Sequence, residues 1–279
     1  MNLHRILRWS AVAAMACGLC GPALAYEWPN GAVAAVSLGY DDGLNSQLDH
    51  VLPALNKRKL RASFYVPINS PTLPGRMGEW RAAAAAGHEL GNHSLFHGCS
   101  AKGRDWVEPH RDLDRLVPAQ LQEQVVAANT WLQALDGRTR RTFTPPCLDL
   151  KAGGQDFVAA LKPHFVAYRA GLGEITDMAT LDPYAVPIVF IEDWPVEQII
   201  ALVERAAAAR TMAVLLFHGV GAEHMRVSTQ AHDALLDYLA RNRKRLWTDS
   251  FVNVMEHVRT QQAGTKASAK AGMPLKATP

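Results

Sequence analysis

Short apolar runs alternate with longer helix-period patterns from residue 32 to residue 260, and this alternation constrains the fold more than any other feature. Such alternation specifies a mostly parallel sheet whose crossovers are helices. Strands are expected at 32–38, 61–66, 88–91, around Phe143, and at 165–168, 187–191 and 213–217. Helices are expected at 79–86, stopped by Gly87, and at 119–135, where Leu121, Val125, Ala128, Leu132 and Leu135 share a face and Gly137 ends the run. Three more are expected at 196–209, 229–241 and 249–260. About seven strand–helix units in a single domain imply an α/β fold of the distorted (β/α) barrel type. The stretch 98–118, rich in Arg, Asp and Pro and without periodicity, is expected to be a long loop over one face.

Both ends of the chain fall outside that pattern. Residues 1–25 carry Arg5 and Arg8, then a mostly apolar run, then Ala23-Leu24-Ala25 before Tyr26. They are expected to be an export signal cleaved near Ala25. A stable membrane span is not expected, because the run is shorter than about 20 residues and Gly18, Gly21 and Pro22 interrupt it. Residues 263–279 have no aromatic and no acidic side chain and are expected to be a disordered tail, which leaves 26–262 as the catalytic domain. Of 29 basic residues, five lie in these two ends, so the domain carries 24 against 26 acidic residues. That balance, with no dominant basic patch, gives little support to a nucleic-acid partner, and none is expected. Cys99 and Cys147 are the cysteines of the domain. In an oxidising compartment they form either one disulfide or two buried free thiols.

In βα-barrels the reactive residues lie where strands run out into loops. Asp41, Asp42, His93, His97 and His218 each fall at or just beyond the end of an expected strand. Two histidines four apart can turn both imidazoles toward one point, and a carboxylate from another strand completes a three-ligand site with one open position. That stoichiometry suits a hydrolytic zinc, whereas structural zinc is usually closed by four protein ligands. The second carboxylate is then free to accept a proton. Taken singly, Asp41-Asp42-Gly43 reads as a helix cap or Asx-turn and His218 as a buried core histidine. Taken together, the five favour a metal site.

Three segments carry a resemblance to a known family. They are Ser37-Leu38-Gly39-Tyr40-Asp41-Asp42-Gly43, then His93-Ser94-Leu95-Phe96-His97 preceded by Gly87-His88-Glu89-Leu90-Gly91-Asn92, and then Leu215-Leu216-Phe217-His218. In order and spacing they resemble the NodB-homology domains of the polysaccharide deacetylases, carbohydrate esterase family four. The likeness runs over nearly all of 32–258. It implies a divalent metal, zinc, held by Asp42, His93 and His97, with Asp41 as general base and His218 as general acid. Two places depart from the family pattern. Where the third motif would read Arg-Pro-Pro, this chain has Phe143-Thr144-Pro145-Pro146-Cys147, so the arginine that steadies the catalytic Asp is replaced by Thr144. Arg169, at the end of the next strand, is a candidate substitute, with an ordinary salt bridge as the alternative. Asp193-Trp194 resembles the Asp-Trp pair of the fourth motif, with Asp193 to orient His218 and Trp194 to wall the pocket. Equally, Glu192 and Asp193 suit the positive end of the helix that follows. Pro145 is a further candidate for lining the substrate. If the second and third motifs share a pocket, Cys99 and Cys147 are placed to bridge its rim. His88 and His224 are expected in structural or solvated roles.

The combined expectation is an exported, metal-dependent enzyme that removes acetyl groups from N-acetylated, or O-acetylated, carbohydrate in the periplasm or outside the cell. Chitin oligosaccharides, peptidoglycan, poly-N-acetylglucosamine and acetylated xylan all fit such a site. One alternative is hydrolysis of a small non-sugar amide, which calls for a closed pocket. Aromatic platforms from Trp80, Trp106 or Trp194 along an open groove would favour a polymer. The other alternative is a carbohydrate-binding homologue without turnover, supported by the missing third-motif arginine.

Overall fold

The computed structural model describes residues 26–271; the expected export signal and the last eight residues of the expected tail lie outside the described residues. The strands are β1 (Ala34–Asp41), β2 (Ser63–Val66), β3 (Glu89–Asn92), a small hairpin of β4 (Lys151–Ala152) and β5 (Gln155–Asp156), then β6 (Arg169–Leu172), β7 (Val186–Phe190), β8 (Met212–Phe217) and β9 (Leu246–Thr248). The main sheet is parallel in the order β3-β2-β1-β8-β7-β6, with β9 pairing the first residues of β1. Every residue of β1 is buried, as expected for a parallel strand covered on both faces.

The two edges of this sheet are joined by the segment 141–144. Phe143 bridges Asn92 on one side and Tyr168 on the other. Thr144 N–H donates to Asn92 O at 3.0 Å, and Arg169 N–H donates to Phe143 O at 3.0 Å. The strand expected around Phe143 is therefore a single-bridge stave that completes a distorted (β/α) barrel. The mouth of this barrel, where parallel strands end, collects Asp41, the loop after Asn92, Thr144 and His218.

The helices are α1 (Leu52–Arg58), α2 (Thr72–Ala85), α3 (Pro118–Asp136), α4 (Val196–Ala209), α5 (Thr229–Arg241) and α6 (Phe251–Ala271). A π-helical turn, Gln47–Val51, runs directly into α1. The bounds of α4 and α5 agree with the sequence expectation, and Gly137 closes α3 in the left-handed region at φ 73°. Two helices differ from expectation. α2 starts seven residues before position 79, because Pro74, Gly75 and Gly78 obscure its pattern and Arg76 (φ −126°) breaks its regularity. α6 continues through 263–271, where a disordered tail was expected. Burial was the wrong criterion there: a helix already docked at its start can propagate along Ala, Gln and Lys by adding one hydrogen bond per residue. Among the described residues no helix is long and apolar enough to cross a membrane.

The largest core cluster joins β1, β2 and β8 to the surrounding helices through Leu38, Phe64, Trp80, Leu215, Phe217 and Leu235. Tyr40 stacks between Phe64 and Phe217 with ring centroids 5.3 and 5.4 Å away. The barrel interior is more polar. Glu89, at the floor end of β3, accepts from Ser63 Oγ, Thr142 Oγ1, Thr142 N and Val252 N at 2.6 to 3.0 Å. The Val252 bond places the carboxylate at the start of α6, where unpaired N–H groups favour negative charge.

Candidate metal centre

At the end of β1 the chain turns through the left-handed region at Asp42 (φ 77°) and Gly43 (φ 62°). Gly43 O accepts from Ser70 Oγ and Thr72 Oγ1, both at 2.8 Å, which pins the turn to the loop after β2. The histidine pair is presented by an irregular loop with Ser94 (φ 66°) and His97 (φ 53°) also left-handed. Asn92 organises it: its Oδ1 accepts from Ser94 N at 2.7 Å while its Nδ2 donates to Val125 O and Asn129 Oδ1. Non-glycine residues persist at positive φ only where the surroundings over-determine them, and such positions cluster at functional sites.

These turns bring Asp42 Oδ1 to 3.4 Å from His93 Nε2 and 3.1 Å from His97 Nε2. Asp42 Oδ1 is buried and has no hydrogen-bond partner among the described residues. His93 Nδ1–H donates to Thr144 O at 2.8 Å, which leaves Nε2 with its lone pair facing Asp42. Ligand atoms sharing a tetrahedral zinc with bonds of about 2.0–2.1 Å sit about 3.3 Å apart. The two nitrogens, the orphaned oxygen and their spacing fit such a cation. Burial opposes charge on Asp42, yet His224, hydrogen-bonded to Oδ2, and the imidazoles of His93 and His97 beside Oδ1 hold its carboxyl far below the usual range. Burial likewise opposes charge on His93, but Asp42 and Asp41 together lift its pKa above the ordinary value.

Asp41, the last residue of β1, is 2 % exposed. Arg169 Nη2 donates to Asp41 Oδ1, and Arg169 Nε donates to Thr144 Oγ1 at 2.7 Å. Arg169 thus reaches the carboxylate from β6 while the residue at the family's arginine position, Thr144, holds its guanidinium. Its Cζ lies 3.7 Å above the Tyr65 ring. Two glycines make room: a Cβ on Gly39 would stand 2.0 Å from Arg169 Nη1, and one on Gly91 would stand 2.5 Å from the Tyr65 ring. Gln47 Nε2 donates to Asp41 O at 2.5 Å and to His218 O at 3.3 Å, tying the ends of β1 and β8 together.

His218 follows β8 directly, with Nε2 3.9 Å from Asp42 Oδ2 and the Phe190 ring 5.4 Å away, edge to face. Burial pushes its pKa down against the pull of Asp41 and Asp42. Its Nδ1 has no partner, and Asp193 makes no hydrogen bond to it. Asp193 is exposed at φ 51°, with its N–H on Arg226 O at 2.9 Å. The expectation that Asp193 orients His218 is corrected accordingly: the turn after β7 directs its backbone to the loop after β8. Trp194 is partly buried against the main core, and Trp80 is fully buried with Nε1 on Thr72 Oγ1, so neither is a platform; Trp106 is 59 % exposed. Pro145 is buried beside Thr144. Cys99 and Cys147 are joined as a disulfide with Cα atoms 5.9 Å apart, linking the loop after the histidine pair to the third-motif segment.

His224, expected in a structural or solvated role, instead stands against Asp42. It is half exposed, and its Nε2 lies 2.8 Å from Asp42 Oδ2, leaving Oδ1 turned to the paired imidazoles. Its loop is tied down beside Asp42 by Glu223, whose carboxylate accepts from Ser46 N at 3.1 Å. Only the short spacing from His218, across a Gly-Val-Gly segment, hints at this placement.

A barrel with two imidazoles and a carboxylate converging at its mouth, beside a second carboxylate and a third histidine, defines a hydrolase-type site. Residues 30–162 match the family model described as polysaccharide deacetylase. The match contains Asp41, Asp42, His93 and His97 and stops short of Arg169 and His218. No curated protein matches the chain. Among solved structures it is similar to peptidoglycan deacetylase PdaC from Bacillus subtilis, at 19 % identity and a TM-score of 0.50, over 85 % of this chain and 96 % of that one. A mutant of PdaC superposes with a TM-score of 0.51 at 19 % identity over the same shares of the two chains. A mutant of BA3943 from Bacillus anthracis, a CE4 family pseudoenzyme, superposes at 0.50 with 16 % identity over 79 % of this chain and 67 % of that one. At these identities the likeness is one of fold.

Proposed function

We propose that the chain is an exported, metal-dependent deacetylase of N-acetylated carbohydrate. The observation that carries this reading is Asp42 Oδ1, buried without a hydrogen-bond partner and facing Nε2 of both His93 and His97. An unpaired carboxylate oxygen in such a place costs about 1–3 kcal/mol or more unless a cation completes it. The N₂O donor set supports zinc, and the open coordination position supports hydrolysis over a structural role. When bound, the cation supplies Lewis-acid polarisation of the acetyl carbonyl and activation of water.

The chain's own groups do the remaining work. Asp41 accepts the proton of the attacking water, and Arg169 holds that carboxylate aimed into the mouth. His218 stands on the other side of Asp42 and protonates the departing amine, a poor leaving group without that proton. The drop in its pKa on burial leaves it neutral at rest and makes its proton readily donated once acquired. The reading of a turnover-deficient binder rested on the missing third-motif arginine; with Arg169 bonded to Asp41, that absence no longer favours it. A peptidoglycan deacetylase among the proteins of like fold supports an acetylated cell-wall or related glycan as substrate. The leader-like residues 1–25 support action outside the cytoplasm. The test is acetate release by zinc-loaded protein from N- and O-acetylated glycans and from small amides. Release from an N-acetylated glycan supports the reading; release from small amides alone would replace it.

A further inference from the structure

A second group of two histidines and one aspartate lies away from the mouth, between the π-helical turn and α5. His50 comes from Gln47–Val51, and His232 and Asp233 come from the start of α5. Asp233 Oδ1 is 3.4 Å from His50 Nε2 and 3.8 Å from His232 Nδ1. All three of these atoms are buried, and none has a hydrogen-bond partner among the described residues. The ligand atoms lie within 4.8 Å of one another, as do those of Asp42, His93 and His97.

We propose that His50, His232 and Asp233 form a second divalent-cation site of zinc type, with a structural role. The His50–Asp233 separation is close to the roughly 3.3 Å edge of a tetrahedral zinc site, and the His232–Asp233 separation is somewhat longer. They are longer than good hydrogen bonds between the same groups, which lie near 2.7–3.2 Å. His232 is fully buried, and its second nitrogen, Nε2, is 2.8 Å from Tyr40 Oη. When Nε2–H donates to that oxygen, Nδ1 presents its lone pair to Asp233, the outer-shell arrangement usual for metal-bound histidine. Arg58 Nη1 stands 3.7 Å from the same Asp233 oxygen, but its Nε–H donates to Asp237 at 2.6 Å, so a second carboxylate offsets its charge. The His50 and Asp233 side chains are 31 % and 39 % exposed, which leaves a route for the ion and a water as fourth ligand.

The site's position gives it a purpose. It staples α5 to the turn that begins at Gln47, whose side chain holds the backbone of Asp41 and His218. His232 also touches Tyr40, the residue before Asp41. A cation here braces the mouth from behind without facing substrate, and π turns of this kind recur near functional sites.

Tag-free protein stripped with chelator, reloaded with zinc and gel-filtered provides the test by elemental analysis. Wild type is expected to hold two zinc ions per chain and Asp42→Ala one. Combining Asp42→Ala with Asp233→Asn, or with His50→Gln, is expected to leave none. Zinc should raise the melting temperature of Asp42→Ala and not that of either double variant. The proposal is overturned if Asp42→Ala holds no zinc, or if the ion it holds survives both second substitutions. Should Asp42→Ala not fold, two ions in wild type and one in Asp233→Asn support the site, and one in each overturns it. Wild type and Asp42→Ala each holding one ion, lost with Asp233→Asn, would instead sink the first site and keep the second.

Discussion

Two carboxylates at opposite ends of one barrel are treated in opposite ways. Glu89, at the floor, accepts four hydrogen bonds and sits at the start of α6. Asp42, at the mouth, has one oxygen on His224 and the other on nothing. A buried charge supplied with donors is part of the fold; one left short of them waits for a ligand. The histidines repeat the contrast. At the floor, His88 is locked neutral, its Nδ1 accepting from Ala62 N at 3.2 Å and its Nε2 within 3.1 Å of Asn56 Oδ1. Burial, aided by Arg61 and Arg138, pulls its pKa to about 4, whereas His93 at the mouth is raised.

The largest effect that would break this contrast concerns the mouth. Asp41→Asn should lower acetate release by about 10³-fold, within the range of general-base losses, while zinc content stays at the wild-type value. Near-normal turnover would remove Asp41 as the base. At the floor, Glu89→Ala should cost about 3–5 kcal/mol in urea unfolding, because four donors lose their acceptor. Asp42→Ala should cost the metal-free protein far less, since few bonds are lost with it. Equal costs would erase the distinction between the two carboxylates.

Gly39→Ala sharpens the account of Arg169. The added Cβ has no room beside the guanidinium, so turnover should fall about 10–100-fold through misplacement with zinc content unchanged. Arg169→Ala should likewise lower turnover about 10–100-fold with zinc content unchanged, because Asp41 loses the guanidinium that positions it; unchanged turnover would reduce Arg169 to packing. The smallest effect is the pH dependence set by His88. Its folded-state value lies below the ordinary 6.5, so the unfolded chain takes up the proton first and stability rises with pH. Its contribution is complete above pH 6.5 and is lost as pH falls toward 4. Between pH 7 and 5 wild type should lose about 2 kcal/mol that His88→Gln does not. Parallel curves for the two proteins would contradict the neutral, buried histidine.

Much of the mouth was legible in the chain because its residues end strands that local pattern already marks. Asp41, Asp42, His93, His97 and His218 needed only strand ends and spacing. What escaped detection depends on contacts across the barrel. Segment 141–144 bridges both neighbours through one residue, too short for any alternation to register. β9 offers three residues and was not expected at all. Arg169 was a candidate, but its path over Gly39 and Tyr65 to Asp41 is a property of packing. The bridge between Cys99 and Cys147 stayed undecided until the two loops were placed. His224 and Asp193 exchanged importance because left-handed turns, at Asp193 itself and at Glu223 and Met225, redirect side chains that spacing alone cannot aim.

The most direct measurement is anomalous diffraction at the zinc edge from crystals of zinc-loaded protein. The account predicts a peak bounded by Asp42 Oδ1, His93 Nε2 and His97 Nε2, with His224 still on Asp42 Oδ2. No peak there at saturating zinc, with Asp42 Oδ1 hydrogen-bonded to protein or water instead, would contradict it.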